Sequence, residues 1–484
     1  MKVLISALLI LALLSSVFTA CGRADERSDA LVSVDTNASD ETEPQGDKPD
    51  FELTNYDGRK FTILYPKWSL YNDYYFAEEA NADAMNDAIY ERTTKIEEAL
   101  NIKITSKSFG YIDTVYPAIR KAVAGGLDVY DLALTHCVSS LPALISDKLI
   151  INWNDVPVID MNKSYWNKGV KNTIESNGLL AFAANDFILP DVNTIFFNKT
   201  LLRDLTLESP YDLVNSGKWT WDKVIEMSAG ASADLNGDSK YDEKDRYGFV
   251  GDSGWQLASI TTGCDQYIIE IQDGQPVLAI NTEKMASIVE KLHTFLHNGK
   301  SAYAWPSLSQ YDPNQGGTPP IDFNDGRALY YLVPLSLAGR FRAMDVDFGI
   351  LPMPKYNEEQ IDYLSLNWAG YMCIPSIAGD LEYTGKVVEL LGYYNRKLVR
   401  PAFYNILLGQ KISRDEESRK MLDIVFDNAV YDLGIALNMY GITEQVLAKK
   451  MGNFESFYAK SYKVWNKTIE QYAKACSNYM AVNG

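Results

Sequence analysis

The sequence predicts an α/β protein whose sheets are largely parallel. From Phe61 to Leu134, short β-rich runs alternate with amphipathic helical stretches in the order strand, helix, strand, helix, strand. That order builds a parallel sheet with helical crossovers. Apolar content of 46% and charge of 23% are those of an ordinary folded protein. About 430 residues lie beyond the N-terminal segments, which by the length prior means two or three domains.

The first fifty residues stand outside that pattern. Met1–Ala20 has a basic start at Lys2 and an apolar run Val3–Leu14, about half the ~20 residues a spanning helix needs. Small residues and Cys21 follow, so residues 1–20 read as a signal peptide. Phe18-Thr19-Ala20-Cys21 resembles a lipobox, which implies that Cys21 is lipidated and becomes the mature N-terminus. Gly22–Asp50 is acidic and nearly free of large apolar residues, so it cannot offset its ordering entropy and is expected to be a disordered tether. A flexible tether of this length spans roughly 30 Å.

The elements follow in order. Phe61–Tyr65 is a strand. A helix is expected over Ala82–Leu100, with Met85, Ile89, Ile96 and Leu100 on one face. Ile102–Thr105 is a strand. Another helix runs from near Pro117 to a Gly125-Gly126 stop, and Tyr130–Leu134 is a strand again. Ligands in such sheets sit at the carboxyl ends of strands, which would place Trp68 and Phe109 there. Next come an apolar run, Leu179–Ala183, read as a buried strand, and a second β-rich run, Thr194–Phe197. Asp186 is stranded between the two, the mark of a cleft edge. A helix should begin at Trp221, with Thr220 as its N-cap and Asp222 in the first turn, where the helix dipole favours negative charge. Gly326–Tyr331 and Phe348–Leu351 are later strands, and Ser413–Glu416 is a capping box before a helix burying Met421, Leu422, Val425 and Phe426.

A net charge of -19 argues against nucleic acid and anionic lipid surfaces as partners. Besides Cys21, the cysteines Cys137, Cys264, Cys373 and Cys476 are far apart with no C-x-x-C spacing. A structural zinc site is therefore not expected; two disulfides are possible outside the cell, and free buried thiols are the expectation.

Asp234–Asp245 reads DLNGDSKYDEKD. Counting Asp234 as position 1, oxygen donors fall at 3 (Asn236), 5 (Asp238), 9 (Asp242) and 12 (Asp245), with the Lys240 carbonyl at 7. This is the EF-hand ligand spacing, so a structural Ca²⁺ is expected to rigidify the loop. Ser239 replaces the glycine usual at position 6, and Asp245 brings a shorter arm than Glu at position 12. Gly251-Asp252-Ser253-Gly254 resembles a serine-protease nucleophile turn but continues with Trp255, and nothing in the spacing of His136, His293 and His297 supports a triad. His293 and His297 share a helix face but lack the glutamate and third ligand of a zinc protease.

Several pieces together resemble bacterial extracellular solute-binding proteins of family 1. They are Asn86–Arg92, Tyr130-Asp131-Leu132, Trp166, Asn177-Gly178, Phe197-Asn198-Lys199, Ser216–Trp221, Gly349–Tyr356 and Arg414–Ser418, in that order. The resemblance implies a maltose-binding-protein-like, two-lobed, hinged fold of type II, each lobe a mainly parallel sheet flanked by helices. It places residues 51–175 and 320–356 in lobe 1 and residues 176–319 and 357–484 in lobe 2. It implies a lipid-anchored receptor on the outer face of the cytoplasmic membrane, monomeric, delivering a sugar or oligosaccharide to an ABC permease without chemistry.

Aromatic residues make up 12% of the chain, and sugar faces stack on aromatic rings while their hydroxyls suit polar acceptors. The expected ligand-binding residues are Trp68, Asp186, Trp255, Trp305, Asn367, Trp368 and Tyr371. Trp219 and Trp221 are expected to be structural. Competing readings are a secreted polysaccharide-degrading enzyme, for which 64 Asp and Glu residues could supply a carboxylate pair, and a receptor for a peptide or polyol phosphate.

Overall fold

The computed structural model describes residues 47–67, 74–138, 141–252, 256–305, 321, 323–343, 346–412, 416–448 and 454–483. Residues 1–46 with Cys21, Trp68, Ser253–Trp255 and the first residues of the expected capping box lie outside them.

One sheet is built from β1 (Arg59–Pro66), β2 (Ile102–Phe109) and β3 (Leu132–Thr135). The helix Ala84–Leu100 crosses between the first two strands, as its spacing predicted. Asp83 caps it by accepting from the N–H groups of Met85 and Asn86, and Asn101 ends it in the left-handed region at φ 47°. Met85, Ile89, Ile96 and Leu100 are all buried. The helix Val115–Ala124 returns to β3 and stops before Gly126, whose φ is 59°. β1 pairs in parallel with both β2 and β3.

The second sheet is built from β4 (Asn193–Asn198), β5 (Tyr247–Asp252), β8 (Ala302–Trp305), β9 (Ala328–Pro334) and β10 (Phe348–Leu351), in the order β10-β4-β9-β5-β8. β5 runs parallel to β8 and β9; β4 is antiparallel to β9 and β10. The small pairs β6–β7 (Ile269–Gln272 with Gln275–Leu278) and β11–β13 (Ser365–Leu366 with Ala429–Val430) lie apart. Before β5, Thr220 caps the helix Trp221–Ala231, and Trp219 and Trp221 are fully enclosed; the Trp219 indole donates to the Pro352 carbonyl at 3.0 Å.

Two expectations are corrected. Strand 328–334, expected to carry the chain back to the first lobe, is the central strand of the second sheet. The returning strand is β12 (Tyr371–Cys373), which pairs antiparallel with β3. The helix Leu381–Tyr394 follows it and buries Tyr383, Val387 and Leu391 in the core beneath the first sheet, with Phe61 and Ile96. Meanwhile Phe196, Phe323, Tyr331, Phe341 and Phe348 form one aromatic core on the second sheet. A β-rich run announces a strand, but packing partners far along the chain decide its sheet. Second, Leu179–Ala183 is fully buried yet joins no ladder. Its backbone is satisfied elsewhere: Leu180 N–H by the Asn152 side chain at 3.0 Å, Leu180 carbonyl by Trp153 N–H at 2.9 Å, and Ala183 by a single bridge to Met372.

The β3–β12 approach needs a glycine. A Cβ at Gly370 would lie 1.6 Å from the Thr135 carbonyl oxygen, a rigid backbone atom. Gly370→Ala is therefore expected to cost several kcal/mol of stability or to prevent soluble expression, checked by denaturant unfolding beside the wild type.

Cys137, Cys264, Cys373 and Cys476 are free and buried. Among the described residues no helix is long and apolar enough to cross a membrane.

Candidate functional site

Two connections between the sheets lie side by side. The first leaves Ala183, bridged to Met372, and enters β4 through Val192; the second leaves β11 and enters β12. Val192 bridges Asn367 in antiparallel fashion. The Asp191 N–H donates to the Asn367 side-chain oxygen at 3.0 Å, and the Trp368 N–H donates to the Asp191 carbonyl at 2.7 Å. The Asn367 oxygen also accepts from Ala369 N–H at 2.9 Å. Asn367 thus staples one crossing to the other.

Asp191 stands on this staple. It is half-buried, and no described residue donates a hydrogen bond to its carboxylate. Burial pushes the carboxyl up to about 7, and its charge in turn raises the Tyr75 hydroxyl and the Cys137 thiol, whose leading cause is their own burial. Cys137 and His136 follow β3, so the carboxyl end of a first-sheet strand faces the crossing. Burial pushes the His136 ring down to about 4, which keeps it neutral, and its Nδ1 accepts from Val138 N–H at 3.2 Å.

The second-sheet side is polar and closed. Asn193 donates to Ser259 Oγ at 2.7 Å, and the Trp368 indole donates to the same oxygen at 3.3 Å. Gln256 is fully buried with neither amide atom bonded, and Asn193 Oδ1 and Thr194 Oγ1 are likewise unbonded. Such a surplus of buried polar atoms is rare in a plain core and common beside a ligand or water site.

The expected site residues divide accordingly. Asn367 and Trp368 sit at the crossing; Trp368 is only 7% exposed and packs edge-to-face on Tyr440. Tyr371 lies deeper, fully buried between Phe182 and Tyr431, with burial holding its hydroxyl well above the ordinary value. Trp305 ends β8, away from these residues in the pairing order. Trp68 and Trp255 lie outside the described residues. Asp186 is engaged in an ion network: its carboxylate meets Arg396 at 3.1 Å and Arg400 at 3.6 Å, and Asp427 meets Arg400 at 2.9 Å. Burial raises the Asp186 carboxyl against the pull of both arginines. Asp186 and Asn367 line one cavity of about 450 Å³ with Trp166, Arg396 and Tyr431.

Sequence reasoning passed over Asp191. The signal was present: like Asp186, it is a carboxylate between Pro190 and a buried strand.

The acidic loop folds on itself. Asp234 accepts from the Gly237 and Ser239 N–H groups, Asp238 from Lys240, Asp242 from Lys244, and Asp245 from Leu235 and Asp242. The last two bonds hold the Asp245 carboxyl below the ordinary range. Among the described residues no three acidic, histidine or cysteine side chains gather where one ion could reach them all. His293 and His297 are neighbours, ring centroids 4.5 Å apart, and His297 Nε2 lies 2.9 Å from the Leu447 carbonyl.

No family model matches the sequence, and a search of curated proteins finds no match. Solved structures match across most of the chain. A cyclic α-maltosyl-1,6-maltose binding protein from Arthrobacter globiformis is 12% identical, covers 88% of this chain and 100% of its own, and superposes with a TM-score of 0.52. An ABC substrate-binding protein from Listeria monocytogenes, in complex with cycloalternan, is 13% identical over 88% and 100%, with a TM-score of 0.50. A sugar transporter from Rhizobium etli in an open conformation is 12% identical over 86% and 99%, with a TM-score of 0.52. These neighbours are binding and transport proteins. At such identities the likeness carries the architecture: two lobes, each a sheet flanked by helices, in the type II periplasmic-binding-protein-like arrangement.

Proposed function

We propose that the protein is the extracytoplasmic receptor of an ABC importer, binding a sugar or oligosaccharide between its lobes and handing it unaltered to a permease. The observation that supports this most is Asp191: an acceptor left unbonded by every described residue, at the junction of the two crossings, facing the carboxyl end of β3. Sugar hydroxyls are donors that such a carboxylate suits, and Trp368, whose N–H bonds the Asp191 carbonyl, packs its ring on Tyr440. Ligand contacting both lobes stabilises the closed state by the difference in its affinity for closed and open forms. Lipidation of Cys21 and a tether from residue 22 belong to the same proposal; the tether, expected to reach Asp50, ends before Asp47, whose carboxylate accepts from Ser164 N–H at 2.8 Å.

A panel of mono- and oligosaccharides, read by thermal shift with product analysis in parallel, tests it. A saturable shift with intact sugar is expected. Cleaved fragments would favour a polysaccharide-degrading enzyme, and shifts only with peptides would favour a peptide receptor.

We also propose Ca²⁺ at Asp234, Asn236, Asp238, Lys240, Asp242 and Asp245, on donor order alone; the carboxylates would have to draw together to hold it. Chelation should then lower the melting temperature by several degrees, with calcium restoring it. An unchanged melt removes the metal and leaves the sugar reading intact.

A further inference from the structure

The helix Phe454–Asn483 runs for 30 residues. One face is core: Phe454, Ile469, Tyr472, Cys476 and Tyr479 are buried. It is fastened to the chain between residues 150 and 177. Tyr472 donates to the Ile174 carbonyl at 3.3 Å, Tyr479 to the Ile150 carbonyl at 2.8 Å, and the Asn177 amide to the Ala473 carbonyl at 3.3 Å.

The opposite face is basic. At 3.6 residues per turn, Lys460, Lys463, Lys467 and Lys474 fall within an arc of roughly 60°, about half a turn from the buried face. All four are exposed, and among the described residues none has an ion-pair or hydrogen-bond partner. Of the acidic residues on this helix, Glu470 is the one beside the row, and Val464, 69% exposed, lies near its edge. From Lys460 to Lys474 the row is about 21 Å long. The net charge of -19 argues against an anionic lipid surface for the chain as a whole, so such a contact is confined to this face.

We propose that this lysine face rests on an anionic lipid headgroup surface. A straight row of unpaired cations on a rigid, docked helix matches a planar sheet of phosphates better than a single small anion. The contact would orient the receptor for hand-over; it is independent of which solute is bound.

The test is co-sedimentation of the purified full chain with vesicles of phosphatidylcholine alone or with about a third phosphatidylglycerol. At ~1 kcal/mol per lysine, roughly fivefold each, K460Q/K463Q/K467Q/K474Q should weaken binding to the anionic vesicles at least 100-fold. The fourfold Lys→Arg variant should keep it. Raising salt from about 50 to about 500 mM should release the wild type, because screening then acts within a few ångström. The melting temperatures of both variants and their sugar-induced shifts should match the wild type, separating this contact from the receptor reading. Equal binding by wild type and the Gln variant would overturn the proposal. So would salt-insensitive binding to phosphatidylcholine alone, or binding to a soluble polyanion such as heparin without vesicle binding.

Discussion

Replacing Asp191 with Asn is expected to make the protein more stable at pH 8 and to weaken its hold on the ligand. The two effects have one origin. In the folded state burial raises this carboxyl from 3.8 to about 7. A raised carboxyl pKa means that the native state holds the proton more tightly than the unfolded chain does. Stability is then full below the unfolded value, falls as pH rises from about 4 to about 7, and stays reduced above that. At ~1.4 kcal/mol per tenfold in proton affinity, an ionised Asp191 costs about 4 kcal/mol at most. The Asp191→Asn variant loses that penalty at pH 8 and gains little at pH 4. Unfolding free energies of wild type and variant should therefore converge in acid and separate in base. The same carboxylate is the acceptor proposed for sugar hydroxyls, and a hydrogen bond to a charged group is worth roughly 1.5–3 kcal/mol, so affinity should fall about 10- to 100-fold or more. Wild-type affinity should also rise as pH passes through 7, where the acceptor ionises. A variant that binds normally, with the wild-type pH profile of stability, would remove Asp191 from the site.

The other large effect is expected at Arg400, whose side chain is 6% exposed. It reaches Asp427 at 2.9 Å and Asp423 at 3.2 Å, and its Nε donates to the Tyr404 hydroxyl at 2.7 Å. Burial alone would lower its pKa, but Tyr404, Asp186 and Asp427 hold the guanidinium above its ordinary value. Arg400→Met leaves Asp186 in a buried setting with only Arg396 beside it. Removing one partner of a buried ion pair typically costs ~3–5 kcal/mol, because the remaining charge is no longer compensated. Denaturant unfolding should show a loss of that size at neutral pH. Adding Asp186→Asn should recover part of it, since the amide carries no charge to desolvate. A fully additive double variant would show that the two residues act independently.

Local chemistry was enough for much of the fold. The Thr220 cap, the Met85–Leu100 stripe and the strands at Phe61, Ile102 and Thr194 are set by residues within a few positions of one another. Thr220 can cap only the N–H groups that immediately follow it, so the sequence names both partners. What the chain could not announce was which distant segment each element meets. Gly326–Tyr331 reads as a strand in either lobe; its place between β4 and β5 follows from the aromatic core around Phe196 and Phe341. Leu179–Ala183 has the composition of a strand, but Asn152 and Trp153 take its backbone hydrogen bonds before a neighbouring strand can. The site divides in the same way. Asp186 and Asp191 are both carboxylates stranded before a buried run, alike in sequence. Two arginines more than two hundred residues away engage the first and leave the second open, because ion pairs and burial depend on distance in space, which only the closed chain decides.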